Sequence, residues 1–274
     1  MTNQFSQDDL EIIISTMNQT SLDFLIPMFP EKHFSEFSIL VINQTTAESH
    51  LISLFDSVRI INSYEKGLSK SRNLGVRNST KAIVILTDDD VIFASNFNNN
   101  VAKAFNNYPE NDILKFQAKS SNGNFLKNYP NKVIKRLSKL ELLNTMSIEL
   151  VFKKKVFEES NVLYDENFGL GAKFELGEEN SLLLDLDKKK VIIGFIPEVL
   201  CFHDENHSAT NVTKEQLYYY SGAFFYRNFG SAYKIWLILK LFFDLKQLKI
   251  TFSMVSKLYK QAILGKNEYK KIRY

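Results

Sequence analysis

Three consecutive carboxylates, Asp88, Asp89 and Asp90, follow an apolar run near the middle of this 274-residue chain. Carboxylates that lie this close together repel one another unless a cation lies among them. Strand-like alternation would turn Asp88 and Asp90 to one side and Asp89 to the other. Two oxygen ligands at this spacing suit Mg²⁺ or Mn²⁺, which also bind water and phosphate oxygens. The simpler interpretation is an acidic turn that ends a strand and binds nothing.

The elements around this acidic group predict an open α/β sheet. The run at residues 82–86 is typical of a strand that is buried on both faces of a parallel sheet. Ligands of such sheets bind beyond the carboxyl ends of the strands. Residues 11–15, 37–42 and 58–61 predict three more strands, and residues 67–78 predict a helix. Strands that alternate with helices in this way are characteristic of α/β proteins.

The chain beyond Asp90 continues the same alternation. The sequence predicts a series of shorter elements and one exposed loop: a helix at 96–107, strands at 112–118 and 147–152, a polar loop at 119–130 and a helix at 153–160. Residues 132–143 alternate basic and apolar side chains and predict either a strand or a helix. A last strand is expected over residues 191–196 and is expected to stop at Pro197.

A second group of candidate residues follows a glycine-rich stretch. Residues 164–177 contain three glycines, which indicates that the backbone passes close to another part of the protein. Glu178 and Glu179 then open a leucine-rich helix over residues 181–187. Acidic residues in a first turn suit the helix dipole, so both glutamates are also explained without any function.

Two of the four histidines, His203 and His207, follow the last predicted strand. A lone histidine is more often a packed or surface residue than a ligand. His203, however, is expected at the sheet edge where the carboxylates lie, so it is a candidate ligand. His33 and His50 lie in polar loops and receive no role.

The bulk composition is that of an ordinary globular protein, with 45% hydrophobic and 24% charged residues. The single cysteine, Cys201, excludes an internal disulfide and fits a reducing compartment. The first ten residues are polar and no apolar run reaches the roughly 18 residues that span a bilayer. The sequence therefore predicts a cytoplasmic protein.

The C-terminal part of the chain differs in character from the rest. Residues 231–274 carry ten basic and two acidic side chains. Helices are predicted over residues 213–230, 235–243 and 249–260, with Gly265 as a helix stop. Basic amphipathic helices of this kind bind anionic membrane surfaces, although a helical lid with a solvated basic face would have the same pattern. We therefore divide the chain into residues 1–210 and 211–274, and the apolar setting of the lysines disfavours nucleic acid as a partner.

Four blocks, in this order, resemble the family 2 glycosyltransferases of the GT-A fold. They are a first strand that ends in residues 16–18, the segment 67–73, the strand before Asp88, and the segment 168–179 followed by His203. The resemblance covers roughly residues 10–205. It implies a Rossmann-like nucleotide-sugar-binding domain with a central, mostly parallel sheet, followed here by a C-terminal helical extension.

The resemblance also implies roles for the charged residues. Asp88 and Asp90 match the motif that contacts the donor ribose and holds the metal, with Asp90 the expected metal ligand and His203 completing the metal or diphosphate site. Glu179 takes the place of the usual aspartate that acts as general base. Because the acidic pair here is Glu-Glu, either Glu178 or Glu179 could be that base.

Donor binding is assigned through the same resemblance to seven residues: Thr16, Asn18, Lys70, Arg72, Asn73, Asp88 and Asp89. The chain departs from the family after the second strand. Family members usually have an aspartate there that recognises the nucleotide base, whereas this chain has Asn43-Gln44-Thr45. UDP is therefore only the default nucleotide.

The sequence thus predicts an inverting glycosyltransferase of the hexosyltransferase type that depends on Mn²⁺ or Mg²⁺. The expected donor is a UDP-sugar, and the expected acceptor is a hydroxyl of a glycan or of a lipid-linked molecule. The resemblance favours bacterial surface polysaccharide synthesis at the inner face of the cell membrane. The alternatives are a sugar nucleotidyltransferase, which would ordinarily show a glycine- and lysine-rich phosphate loop near the first strand, and an inactive sugar- or membrane-binding scaffold.

Overall fold

The structure is a computed structural model that describes residues 4–203 and 212–273. Eight strands form one sheet, in the spatial order β3-β2-β1-β4-β7-β6-β8-β5. Their bounds are Leu10–Met17 (β1), Ile39–Gln44 (β2), Val58–Ser63 (β3), Ile83–Asp88 (β4), Val91–Phe93 (β5), Ile113–Lys119 (β6), Leu150–Lys153 (β7) and Ile193–His203 (β8). Four neighbouring pairs are parallel and three are antiparallel. The mostly parallel α/β sheet expected from the sequence is confirmed.

Helices accompany this sheet along the chain. Their bounds are Leu25–Met28 (α1), Leu68–Asn78 (α2), Phe97–Asn107 (α3), Lys139–Leu143 (α4), Lys155–Ser160 (α5), Glu178–Lys188 (α6), Lys214–Phe229 (α7), Tyr233–Lys246 (α8) and Phe252–Arg273 (α9). Alternate residues of β1 enter two separate cores, with Ile12 and Ile14 in one and Ile13 in the other. The sheet is therefore buried on both faces, as its unbroken apolar strands require.

The last strand differs from its expected end at Pro197. It continues to His203, because Pro197 lies where the pairing of β6 with β8 shifts register and no ladder hydrogen bond is needed from it. The extension pairs antiparallel with β5, a strand that the sequence did not indicate, and places Val91 opposite His203. This pairing brings His203 to the acidic turn.

Residues 132–143 form neither a long strand nor a long helix. Only Lys139–Leu143 is helical, and it begins at a capping box between Ser138 and Glu141. The strand expected at 147–152 is preceded by a short 3₁₀ helix, Ser147–Glu149, and is confined to β7.

The C-terminal helices pack on one another and on the rest of the chain. Gly265 lies inside α9 and does not end it, which corrects the expected helix stop. A Cβ on Gly265 would lie 1.8 Å from the carbonyl oxygen of Tyr219, and one on Gly222 would lie 1.8 Å from that of Ala262. These glycines let the backbones of α7 and α9 touch. The predicted boundary at residues 210 and 211, like His207, lies outside the described residues.

No helix in the described part of the chain is long and apolar enough to cross a membrane.

We expect Gly265→Ala to destabilise the protein although alanine is the better helix former. Helix propensity alone would stabilise α9 by about 1 kcal/mol. The contact with Tyr219 leaves no room for the added methyl group, so overpacking is expected to lower the free energy of unfolding by about 2 to 3 kcal/mol. Urea denaturation measures the difference. Ser256→Ala, on the exposed side of α9, is the matched control, and a Gly265→Ala midpoint above that of the wild type would contradict the packing argument.

Candidate active site

A cleft of about 390 Å³ opens where the carboxyl ends of β1, β2 and β4 lie side by side. Strand register places Ser15 opposite Asp88 and Met17 opposite Gln44. The cleft is lined by these strand ends, by the acidic turn and by the two glycine-containing segments, with Thr16, Gln44, Lys66, Gly67, Asp90 and Gly171 among its residues. This is the sheet edge at which a ligand was expected.

The side chain of Arg72 binds three carboxylates beside this cleft. Its Nη1 donates to Glu179 Oε1 at 2.5 Å and lies 3.4 Å from Glu178 Oε1, and its Nη2 donates to Asp88 Oδ1 at 3.2 Å. Arg72 is only 1% exposed. A buried guanidinium of this kind is stable only when carboxylates compensate its charge. Helix α2, strand β4 and helix α6 are therefore joined through one cation.

The two glycine-containing segments bring these elements together. Gly67 begins α2 with a φ of +127°, and the backbone N–H of Leu68 donates to Leu170 O at 2.9 Å. Ser69 Oγ donates to Phe168 O at 2.6 Å. A Cβ on Gly169 would lie 3.0 Å from Ser69 Oγ and 3.2 Å from the carboxyl carbon of Glu178. The close backbone approach predicted from the glycines is thus present, and it positions α6 against α2.

The two glutamates have different protonation preferences. Burial and the neighbouring charge of Glu179 raise the pKa of Glu178 well above its ordinary value. Burial alone would also raise the pKa of Glu179, but Arg72 and a hydrogen bond from Glu178 lower it below its ordinary value. A proton bound to this pair therefore favours Glu178, and Glu179 favours the ionised form that pairs with Arg72.

Asp89 ties the turn to the end of β1. Thr16 Oγ1 and Gln19 Nε2 both donate to Asp89 Oδ2, the latter at 3.2 Å. Asp90 instead extends toward β8, where His203 Nε2 lies 3.0 Å from its Oδ1. The three aspartates thus have three separate sets of partners.

The expected metal ligands come together only in part. Asp90 and His203 meet, whereas Asp88 is turned to Arg72, because β4 ends at Asp88 and strand alternation does not extend to Asp90. Within the ranges 4–203 and 212–273, no group of three or more His, Cys, Asp or Glu side chains is arranged so that it could hold a metal ion. The three-ligand set of Asp88, Asp90 and His203 is therefore not assembled here.

Some of the expected donor-binding residues lie at the cleft and others do not. Thr16 and Asp89 lie at the cleft, and Asn18 is exposed just beyond β1 with a φ of +56°. Asn73 is buried, and its amide bonds the backbone of Tyr164 and the carboxylate of Glu166. Its amide therefore positions the chain before the glycine-rich loop and does not face the cleft.

The remaining two basic candidates, Arg72 and Lys70, are likewise engaged within the protein. Arg72 is buried, and its guanidinium contacts carboxylates of the protein. It is therefore not exposed to the cleft in the way that the predicted contact with a diphosphate would require. Lys70 Nζ donates to Glu65 Oε2 at 2.7 Å and is partly exposed. Lys66, which the sequence analysis did not select, lines the cleft instead.

Further residues of the site were not indicated by any sequence pattern. The Tyr164 ring lies 5.6 Å from the Arg72 guanidinium, and its buried hydroxyl has no hydrogen-bond partner among the described residues. Gln44 lines the cleft and accepts a hydrogen bond from the Gly67 N–H at 2.7 Å. Gln44 belongs to the segment Asn43-Gln44-Thr45, which replaces the aspartate by which family members usually recognise the nucleotide base. That departure from the family pattern was the one feature of the sequence that could have indicated Gln44.

Known proteins resemble this chain in one stretch of its sequence and in its fold. Residues 34–160 match the family model described as Glycosyl transferase family 2, which confirms the resemblance over that stretch. No curated protein matches the chain in sequence.

Solved structures of S. aureus TarS have a similar fold. TarS 1-349 in complex with UDP-GlcNAc aligns with a TM-score of 0.60 and 14% identity over 95% of this chain and 80% of TarS 1-349. The complex with UDP aligns with a TM-score of 0.60 and 13% identity over 93% and 80%. In two further TarS alignments this chain spans 64% and 39% of the TarS chain, which is less than two thirds. At this identity the likeness shows a shared fold alone.

We expect Arg72→Gln to destabilise the protein in a pH-dependent way. Removal of the guanidinium leaves Asp88, Glu178 and Glu179 without their buried cation, which costs about 3 to 5 kcal/mol when they are ionised. Their folded-state pKa values then exceed the unfolded ones, so the loss is largest above the raised values, shrinks as the pH falls through them, and has disappeared once the pH is below about 4.

Thermal unfolding of this variant at pH 7 and pH 4 measures the effect. Arg136→Gln, which removes an exposed pair with Asp187, is the control and is expected to change stability by less than about 1 kcal/mol. An equal loss at both pH values would show that Arg72 contributes packing and not charge compensation.

Proposed function

The match of residues 34–160 confirms a glycosyl transferase family 2 segment, and from it we propose that the chain is a glycosyltransferase. It transfers a sugar with inversion from a nucleotide-sugar donor, by default a UDP-sugar, to an acceptor hydroxyl. The acceptor is a glycan or a lipid-linked molecule, in bacterial surface polysaccharide synthesis. The observation that carries the proposal is the ion cluster at the sheet edge, where Arg72 holds one ionised glutamate beside a nucleotide-sized cleft.

Glu179 is the general base of this proposal. A base must be ionised and must reach the attacking hydroxyl. The lowered pKa of Glu179 keeps its carboxylate ionised at neutral pH, and the proton on Glu178 prevents a second negative charge beside it. Both residues begin α6 at the cleft-facing glycine loop, and Glu179 is the more exposed of the two side chains. The sequence left open which of the two glutamates is the base, and these differences in pKa and exposure support Glu179.

The donor lies, in this proposal, in the cleft beyond β1, β2 and β4. TarS, whose fold is shared, binds UDP and UDP-GlcNAc in its crystal structures, which supports a uridine nucleotide here. The Gln44 side chain, oriented by Gly67, and the Thr16 hydroxyl present polar groups to the nucleotide. Lys66 at the cleft and the neighbouring Lys70 supply positive charge for the diphosphate.

A divalent metal fits the donor set at the cleft mouth. Asp90 is exposed enough to bind a cation, with its side chain 58% accessible, and the imidazole of His203 lies 3.0 Å from it. A carboxylate and an imidazole provide two ligands, and Mn²⁺ or Mg²⁺ take their remaining ligands readily from phosphate and water. When bound, such an ion would neutralise negative charge on the departing diphosphate. Asp90 and His203 would hold it, and Asp88 would remain with Arg72.

Calorimetric titration of UDP tests the donor site. We expect UDP to bind more tightly in the presence of Mn²⁺, and Asp90→Ala to abolish the Mn²⁺-dependent part of the affinity. Glu110→Ala, which removes an exposed carboxylate that pairs with Lys135 and does not line the cleft, is expected to bind UDP as the wild type does. If neither UDP nor GDP, CDP or dTDP binds with or without Mn²⁺, the transferase proposal fails and an inactive scaffold is the better description.

Glu179→Gln is expected to abolish transfer while preserving donor binding. Loss of general-base catalysis lowers kcat by about 10² to 10⁴-fold, whereas the affinity for UDP changes little. Glu178→Gln is the matched control, because an amide can keep the hydrogen bond that a protonated Glu178 makes to Glu179. UDP release from the preferred UDP-sugar measures both. A larger loss in Glu178→Gln than in Glu179→Gln would reverse the assignment.

A further inference from the structure

Helix α8 presents an apolar face to solvent. Five of its apolar side chains are between 41% and 62% exposed: Ile235, Ile238, Leu239, Phe242 and Phe243. Their spacing places them on one outward side of the helix. The same apolar surface continues into the following turn, where Leu248 is 89% exposed and Phe252, at the start of α9, is 85% exposed. Contiguous apolar patches of this kind mark interaction sites in stable proteins.

The opposite side of α8 is packed against the protein. The exposed apolar side chains are therefore additional to those that α8 needs for its own packing. Leu237 and Leu241 lie in a buried cluster with residues of α7 and α9. Asp244 is also buried, and it accepts hydrogen bonds from Tyr218 Oη at 2.7 Å and Lys240 Nζ at 3.0 Å. The one carboxylate of α8 is therefore buried, whereas five of its apolar side chains are exposed to solvent.

The charges around the apolar face have one sign. Lys234, Lys246 and Lys249 are exposed at the two ends of the helix and in the turn. Asp244 is the only acidic residue between Tyr233 and Phe252, and it is buried against Tyr218 and Lys240. An apolar strip flanked by lysines, without exposed carboxylates, is complementary to a surface that is apolar inside and negatively charged outside.

We propose that α8 and the turn after it bind the surface of an anionic lipid bilayer. The helix has 14 residues and is about 21 Å long, shorter than the ~30 Å hydrocarbon core. It lies in the plane of the interface, with its five apolar side chains, Leu248 and Phe252 among the acyl chains. The lysines at its ends bind lipid phosphates. This proposal goes beyond the transfer reaction, and it does not depend on which donor the cleft takes.

The C-terminal helices connect this surface to the candidate site. Asn228 of α7 donates to Ser181 Oγ of α6 at 3.0 Å, and a Cβ on Gly177 would lie 2.5 Å from the Phe224 ring. Helix α7 therefore packs against the first turn of α6, which carries Glu179. With α8 on the bilayer, the base is held at a fixed height above the lipid headgroups, where a lipid-linked hydroxyl would be presented.

Vesicle binding by the full chain tests the proposal. The probes are vesicles of phosphatidylcholine alone and vesicles in which about a third of the lipid is phosphatidylglycerol, a fraction that gives a strongly negative surface. Trp236 of α8, the only tryptophan in the sequence, stacks on Phe229 at the end of α7, with ring centroids 4.4 Å apart. Its fluorescence therefore reports the environment of this helix. We expect co-sedimentation with the anionic vesicles, a blue shift of Trp236, and quenching by lipids brominated near the headgroup.

Two variants separate the apolar and the charged contributions. Ile238→Ser/Phe242→Ser removes two inserted side chains and is expected to weaken binding by about 100-fold, roughly tenfold for each. Lys234→Gln/Lys246→Gln/Lys249→Gln is expected to lose roughly fivefold for each lysine on anionic vesicles, and to abolish the preference over phosphatidylcholine. Ile52→Ser/Leu54→Ser removes two apolar side chains of a distant loop that are even more exposed, at 73% and 93%, and is the control.

The outcomes decide the proposal without reference to transfer activity. Both substituted apolar positions and all three substituted lysines are exposed, so the variants are expected to melt as the wild type does, and UDP affinity is expected to stay unchanged. Absence of wild-type binding to anionic vesicles, or equal binding by Ile238→Ser/Phe242→Ser, would overturn it. A wild-type dimer in solution that ignores vesicles, and becomes a monomer in that double variant, would show instead that a second copy covers the face.

Discussion

Charge compensation around Arg72 is the constraint on which the candidate site depends. The guanidinium is buried, and it joins carboxylates from β4 and α6 through contacts of 2.5 to 3.4 Å. Neither the cation nor these carboxylates would be stable in this position alone, because an unpaired buried charge is costly. The positions of the three elements in the folded protein therefore depend on one another. Gly169 permits this approach, since a Cβ there would lie 3.0 Å from Ser69 Oγ, and Gly67 and Gly171 adopt positive φ values of +127° and +75°.

A second layer of contacts holds the segment that carries the glutamates. Arg227 of α7 binds Asp165 at 2.9 Å and Asp185 at 2.7 Å, and so connects the start of the glycine-rich stretch to α6. Tyr220 of α7 donates to Glu175 at 3.3 Å. The basic C-terminal region therefore does more than carry charge. It encloses the loop before Glu178, so the position of the proposed base depends on helices that the sequence presented as a separate tail.

The sequence predicted most of the strands and the sheet edge at which the candidate site lies. Both predictions rest on local features of the chain. Unbroken apolar runs identified β1, β2 and β4, and the residues after them meet at one cleft. The errors arose where a distant partner decided the outcome. Pro197 does not end β8 because a bulge in its pairing with β6 accommodates it. Gly265 does not end α9 because it is needed for contact with α7. Asp88 does not join Asp90 because Arg72, sixteen residues away, takes it.

The charge balance of the cleft explains why a cation belongs in the proposed reaction. Asp88 and Glu179 are compensated by Arg72, and the proton on Glu178 removes one further charge. Among the described residues, Asp89 receives hydrogen bonds from the neutral donors Thr16 and Gln19. A diphosphate that entered such a cleft would meet the negative charge of this carboxylate, and the repulsion would be strong where water is excluded. Lysines at the rim reduce this repulsion only weakly, because their charge is solvated. A divalent ion held by Asp90 and His203 would offset this repulsion, and donor binding and metal binding would then be thermodynamically coupled.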